Sequence, residues 1–222
     1  MMDEQNRSSY QQAPQEVCPL VDMQRAVNEM ALVNKTTGEV SYGIKSLFII
    51  MGDAFPALRP LFSFAPFVWL MGKIYFFISF NRRVIVPPNN KENHFSIQPS
   101  FRLDYRIAYI IFTGFIAAFI LSRYLILIFP SYSPYIAYLI IGAAIFIQAL
   151  IAIIGAPKKT GNYLGNLATI LFAGTLLLLP VMLAAHWVVF SSIFYKIYLL
   201  GVIILILAEY IRRIRIFTSA IQ

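Results

Sequence analysis

The sequence predicts a mainly α protein: a polytopic four-helix membrane bundle over residues 107–211, preceded by a short α/β segment and an interfacial helix. Three observations predict it. The 222 residues are 59% hydrophobic and their mean hydropathy is +0.70, where soluble domains sit near half apolar. Four apolar runs in the C-terminal half each match the thickness of a bilayer's hydrocarbon layer. Lys and Arg flank those runs in alternate connections only.

From the N-terminus, residues 1–17, MMDEQNRSSYQQAPQEV, are rich in Gln, Ser and charge. They bury too little apolar surface to order themselves and are predicted disordered. The first forty residues hold no apolar core of a signal peptide. Residues 20–30 place Val21, Met23, Ala26, Val27 and Met30 at mostly helical spacing. Short strands are predicted at 31–33 and 39–42, around a loop at 34–38 that ends in Gly38. Gly43 then opens a second helix over 44–51.

Pro56, Pro60 and Pro66 break the next stretch into short helices. Residues 61–80, LFSFAPFVWLMGKIYFFISF, are long enough to span a bilayer, but Lys73 lies close to the middle, at a cost of about 3 kcal/mol. An interfacial helix over 67–81 is the preferred reading, with a fifth span as the alternative. Residues 87–106 read as a polar linker.

The predicted spans are 107–129, 135–156, 163–185 and 188–211. They lack the strand alternation of a barrel, and backbone groups in lipid must be satisfied internally, so they are helices. Arg102 and Arg106 precede the first span, Lys158 and Lys159 sit in the second loop, and Arg212, Arg213 and Arg215 begin a basic tail at 212–222. The first and third loops lack Lys and Arg. The pattern puts both termini in the cytoplasm. It also assigns the net charge of +8 to topology and to anionic lipid rather than nucleic acid.

Ionisable residues within or beside the spans are the candidate sites. Glu209 precedes Arg212 and Arg213 by three and four residues, which predicts a surface ion pair. Arg123, His186 and Lys196 fall toward the outer ends of their spans. They either snorkel separately to head groups or converge on an outer-leaflet pocket for an anionic head group or substrate. Gly114 and Ala118, four apart, allow close helix approach. The glycines of Gly161-Asn162-Tyr163-Leu164-Gly165 read as loop-shaping. His94 and His186 are far apart, and one cysteine excludes an intrachain disulfide, so no metal site or cofactor is predicted. The expected partners are the lipid bilayer and another membrane protein.

Residues 18–33 (CPLVDMQRAVNEMALV), 38–48 (GEVSYGIKSLF) and 60–83 (PLFSFAPFVWLMGKIYFFISFNRR) resemble, in order and spacing, the C-terminal part of the DCC family. This is the DUF393 group of thiol–disulfide oxidoreductases. The matching positions are Asp22, Met23, Gly38, Gly43, Tyr75, Asn81 and Arg82. The resemblance covers a third of the chain. It implies that the α/β segment is an incomplete thioredoxin-like unit fused to a bacterial inner-membrane domain.

In that family the chemistry lies in Asp-Gly-x-Cys-x-x-Cys after a strand. Cys18 is not that site. Glu16-Val17 precede it, residues 9–14 are polar, and the hairpin follows too soon for the intervening helix and second strand. The resemblance therefore implies a redox motif upstream of Met1, an internal start at Met1, and a chain inactive in dithiol exchange as it stands. Cys18 remains a candidate thiol, lying just before a helix. Two other roles stay open: a non-catalytic membrane scaffold, and a four-helix protein that handles a lipid or quinone.

Overall fold

A computed structural model describes residues 18–34, 36–86, 101–155 and 160–219. The chain divides into two compact units, residues 1–82 with 91–102, and residues 83–90 with 103–222. The predicted disordered segment, most of the predicted linker, and Lys158 and Lys159 lie outside the described residues.

In the first unit a 3-10 turn, Cys18–Leu20, leads to α1, Met23–Ala26. The Asp22 carboxylate starts α1 by accepting the backbone N–H groups of Gln24 and Arg25 at 3.0 and 3.2 Å, as a helix N-cap does. This helix is much shorter than the predicted 20–30, because the chain turns at residues 27–30 to enter the hairpin. Strand β1, Ala31–Val33, pairs antiparallel with β2, Val40–Tyr42, with Leu32 opposite Ser41. The turn between them is built by Asn34, whose side-chain oxygen accepts the N–H of Thr36 at 2.9 Å. Gly38 there takes a positive φ of 73°, which a side chain disfavours.

Gly43, also at positive φ, opens α2, Ile44–Ala54. Its missing side chain matters twice, since a Cβ there would fall 2.8 Å from Glu29 Oε2. Buried Phe48 of α2 stacks on Phe62 and Phe67, with ring centroids 4.8 and 5.6 Å away. Pro56 and Pro60 begin a 3-10 turn, Pro56–Leu58, and α3, Arg59–Ser63, where a missing N–H costs nothing. Helix α4 runs Ala65–Ile85, longer at both ends than the predicted 67–81, and it meets the Pro56–Ser63 stretch at 87°.

The second unit holds α5 (Leu103–Ile128), α6 (Tyr135–Gly155), α7 (Thr160–Leu176), α8 (Leu179–Ala184) and α9 (Ser192–Ser219). Among the described residues four helical stretches, with α7 and α8 counted as one, are long and apolar enough to cross a membrane, or five if the bent pair Pro56–Ser63 and Ala65–Ile85 is one span. Three boundaries correct the sequence reading. Helix α5 starts at Leu103 and so takes Arg106 inside it. The third stretch starts at Thr160, so Gly161–Gly165 is helical rather than loop. Helix α9 continues through Arg212 and Arg213 instead of ending before a tail.

The third stretch is also broken after Leu176. Pro180 has no N–H to continue the ladder, and the chain tightens through Leu177 N–H to Gly174 O and Leu178 N–H to Thr175 O.

Helix α5 packs against α6, α7 and α9, and α7 packs against α6 and α9 as well. These are central: an 18-residue apolar window is 44% buried in α5 and in the Thr160–Ala184 stretch, against 17% in α6 and 11% in α9. Gly114 lets α6 approach, a Cβ there falling 3.0 Å from Ile145 Cδ1. Gly174 does the same for α9, where a Cβ would collide with Ile206. Tyr124, Leu178, Val181 and Tyr195 fill the apolar core toward the α5 C-terminus.

Candidate functional site

In the first unit one face of α4 grips the turn at residues 27–30. Tyr75, Ser79 and Arg82 are spaced four and three apart, so they project from the same side of a helix. Tyr75 Oη accepts the Met30 N–H at 2.8 Å. Ser79 Oγ donates to Asn28 O. Arg82 Nη2 donates to Val27 O at 2.8 Å. Tyr42 Oη accepts the Asp22 N–H at 2.7 Å, and the Arg25 guanidinium lies 4.2 Å from the Tyr42 ring centroid and 3.5 Å from Glu29.

Four backbone groups around the short helix and the hairpin are thus held by side chains. Asp22, Gly43, Tyr75 and Arg82, all quoted above for the resemblance, meet here. Buried Asn81 donates instead to Phe77 O of its own helix, at 2.8 Å. Gly38 stays in the hairpin turn, Met23 lies in α1, and Cys18 lies in the 3-10 turn. Ser79 was invisible to sequence reasoning, because one hydroxyl in an aromatic helix carries no signal of its own.

Beside this clasp an open groove of about 470 Å³ is lined by Lys45, Phe48, Asp53, Arg59, Phe62 and Val68. Arg59 closes over the end of α2, donating to Gly52 O at 3.0 Å and to Asp53 at 3.1 Å. Its charge is spent on structure.

In the second unit polar side chains gather where α5 and α7 begin and α6 and α9 end. Arg106 is 3% exposed and lies against Gly165, where a Cβ would fall 2.9 Å from Arg106 Cδ, Arg106 Nη1 and Val84 Cγ1. Only glycine admits that guanidinium to the helix surface. Arg213 reaches the same place from α9. Its Nη1 donates to Asn166 Oδ1 and to Val84 O, each at 2.8 Å, and its Nε donates to Glu209 at 2.8 Å. Arg212 holds Glu209 as well, at 2.6 and 2.7 Å, so the predicted pairing of Glu209 with both arginines is present.

A second layer joins three helices. Gln148 Oε1 accepts the Tyr163 hydroxyl, and the Tyr163 and Tyr210 hydroxyls lie 2.6 Å apart. Tyr109 and Thr169 bridge α5 and α7 at 2.8 Å. Sequence reasoning missed this centre. It took Arg106 and Arg213 as topology markers outside the apolar runs, and Gly165 as part of a loop.

The three residues predicted to face an outer pocket are exposed, each beside a different group. Arg123 lies 5.4 Å from the Phe119 ring and Lys196 5.5 Å from the Phe129 ring. His186 Nδ1 is 3.0 Å from Met182 O. Among the described residues no hydrogen bond or ring contact joins any two of them. Nearby, the Tyr132 hydroxyl is buried without a partner among the described residues, and that burial pushes its phenol up from the ordinary value.

Among the described residues no group of three or more His, Cys, Asp and Glu side chains is placed to hold a metal ion. No family model, curated protein or solved structure matches the chain.

Proposed function

We propose that this chain is a multi-pass protein of a bacterial inner membrane, with both termini cytoplasmic. Its N-terminal unit is a DCC-like module that serves as a non-catalytic scaffold for another membrane protein. One observation carries the reading. The residues that bear the resemblance, Asp22, Gly43, Tyr75 and Arg82, converge on one clasp, and their bonds hold backbone rather than a reacting group. With a single cysteine in the sequence, no dithiol exists within the chain for exchange.

The four long apolar helices are compatible with a lipid bilayer. Arg106, Arg212 and Arg213 sit at one end of them, which supports cytoplasmic placement of that end.

The test is twofold. In an insulin-reduction assay the purified chain and its Cys18→Ser variant give the same background rate, and turnover by the chain alone refutes the non-catalytic reading. Detergent extraction from the native host recovers the chain with one membrane protein in fixed ratio. Recovery of the chain alone refutes the scaffold role.

A further inference from the structure

Among the described residues, the face of α4 turned away from the clasp is uncovered. Trp69, Leu70, Ile74 and Ile78 are 67%, 50%, 41% and 53% exposed, and at 3.6 residues per turn they form a stripe over the half of the helix that Tyr75, Ser79 and Arg82 leave free. Beyond the bend, Phe55 and Phe64 are 59% and 58% exposed. Lys73 sits within the stripe, its Nζ 5.8 Å from the Trp69 ring centroid.

We propose that this elbow, Pro56–Ser63 with α4, lies in the bilayer interface. Its apolar stripe enters the boundary between head groups and acyl chains, and Lys73 faces anionic head groups. The inference rests on the multi-pass reading above, which tethers the elbow to a bilayer.

Three features choose the interface over a full crossing and over a protein partner. The clasp face bonds the backbone of Val27, Asn28 and Met30, in a segment that carries the Arg25–Glu29 ion pair. A helix committed on one side to such polar structure cannot enter hydrocarbon on all sides. The 87° bend turns the two apolar stretches along different directions, which a bilayer surface accommodates and a straight crossing does not. A tryptophan beside a lysine, with aliphatic side chains following, is the composition of an interfacial helix: the indole sits at head-group depth while the ammonium snorkels outward. The net charge of +8 complements an anionic membrane surface.

The sequence holds two tryptophans, Trp69 and Trp187, and Trp187 is 82% exposed, so each can be replaced to leave the other as a reporter. The full chain carrying Trp187→Phe is reconstituted into vesicles of phosphatidylcholine and phosphatidylglycerol, brominated near the carbonyl end of the acyl chains. The expected result is loss of Trp69 emission, with little further quenching by iodide. Adding Lys73→Glu restores part of that emission.

Trp69 quenched by iodide but not by bromolipid means an elbow in water. Trp69 shielded from both means a second copy or a protein partner on the stripe. Either overturns the proposal, and an unchanged Lys73→Glu signal overturns its head-group contact. The companion Trp69→Phe variant reports on Trp187. Its quenching by bromolipid without that of Trp69 sinks the elbow alone, whereas quenching of neither sinks the multi-pass reading too.

Discussion

The Tyr75 hydroxyl holds the backbone N–H of Met30 at 2.8 Å, forty-five residues away. That bond ties the start of a β-strand to the middle of a helix. Tyr75→Phe leaves the amide without its acceptor and costs about 1 kcal/mol. Hydrogen exchange at Met30 should speed up roughly fivefold, with the Leu32–Ser41 pairing of the hairpin intact. Unchanged exchange at Met30 would remove Tyr75 from the clasp.

Gly174 faces Ile206 with no room for a methyl group. Gly174→Ala should lower thermal stability in detergent by about 1–3 kcal/mol, the range for overpacked contacts. Ile206→Ala in the same chain should recover part of the loss. Gly142→Ala is the control, because a Cβ there has nothing within 4 Å.

Arg212 and Arg213 share Glu209 but differ in what else they do. Arg212 is 57% exposed and Arg213 only 11%, and Arg213 alone also binds Asn166 and Val84. Arg213→Met should destabilise by about 2 kcal/mol. Arg212→Met should cost under about 1 kcal/mol. Arg213→Lys should not restore stability, since one ammonium cannot reproduce a fork aimed at three acceptors. Thermal unfolding of the four proteins in one detergent decides the ranking.

The hydroxyls of Tyr163 and Tyr210 form the contact between α7 and α9 that Gln148 completes from α6. A double-mutant cycle with Tyr163→Phe and Tyr210→Phe should give a coupling of about 0.6 kcal/mol, the usual size between membrane helices. Additive effects would mean that the two rings pack without a shared bond.

What was legible in the sequence followed from local rules. The helix, hairpin and helix order came from spacing around Gly38 and Gly43, and four apolar runs announced four long helices. The Glu209 ion pair came from residues on one helix face. What stayed hidden depends on which helix lies beside which. An arginine at the edge of an apolar run looks like a flanking charge, so the burial of Arg106 became visible only once Gly165 was placed opposite it. The shortening of α1 was likewise hidden, because the side chains that hold its turn come from about fifty residues downstream. Arg123, His186 and Lys196 share a predicted depth, but depth alone did not say which neighbours they face.

The break after Leu176 has a consequence for assembly. The Leu177 carbonyl is taken up by the hydroxyl of Tyr198, at 2.7 Å. Tyr198 belongs to α9. At the break that carbonyl faces a turn rather than a continuous helix, so the α9 hydroxyl is its partner among the described residues, and a carbonyl left bare in lipid would cost several kcal/mol. Where these stretches cross a membrane, as proposed, the third stretch and α9 therefore complete each other's polar bonding only once they lie side by side.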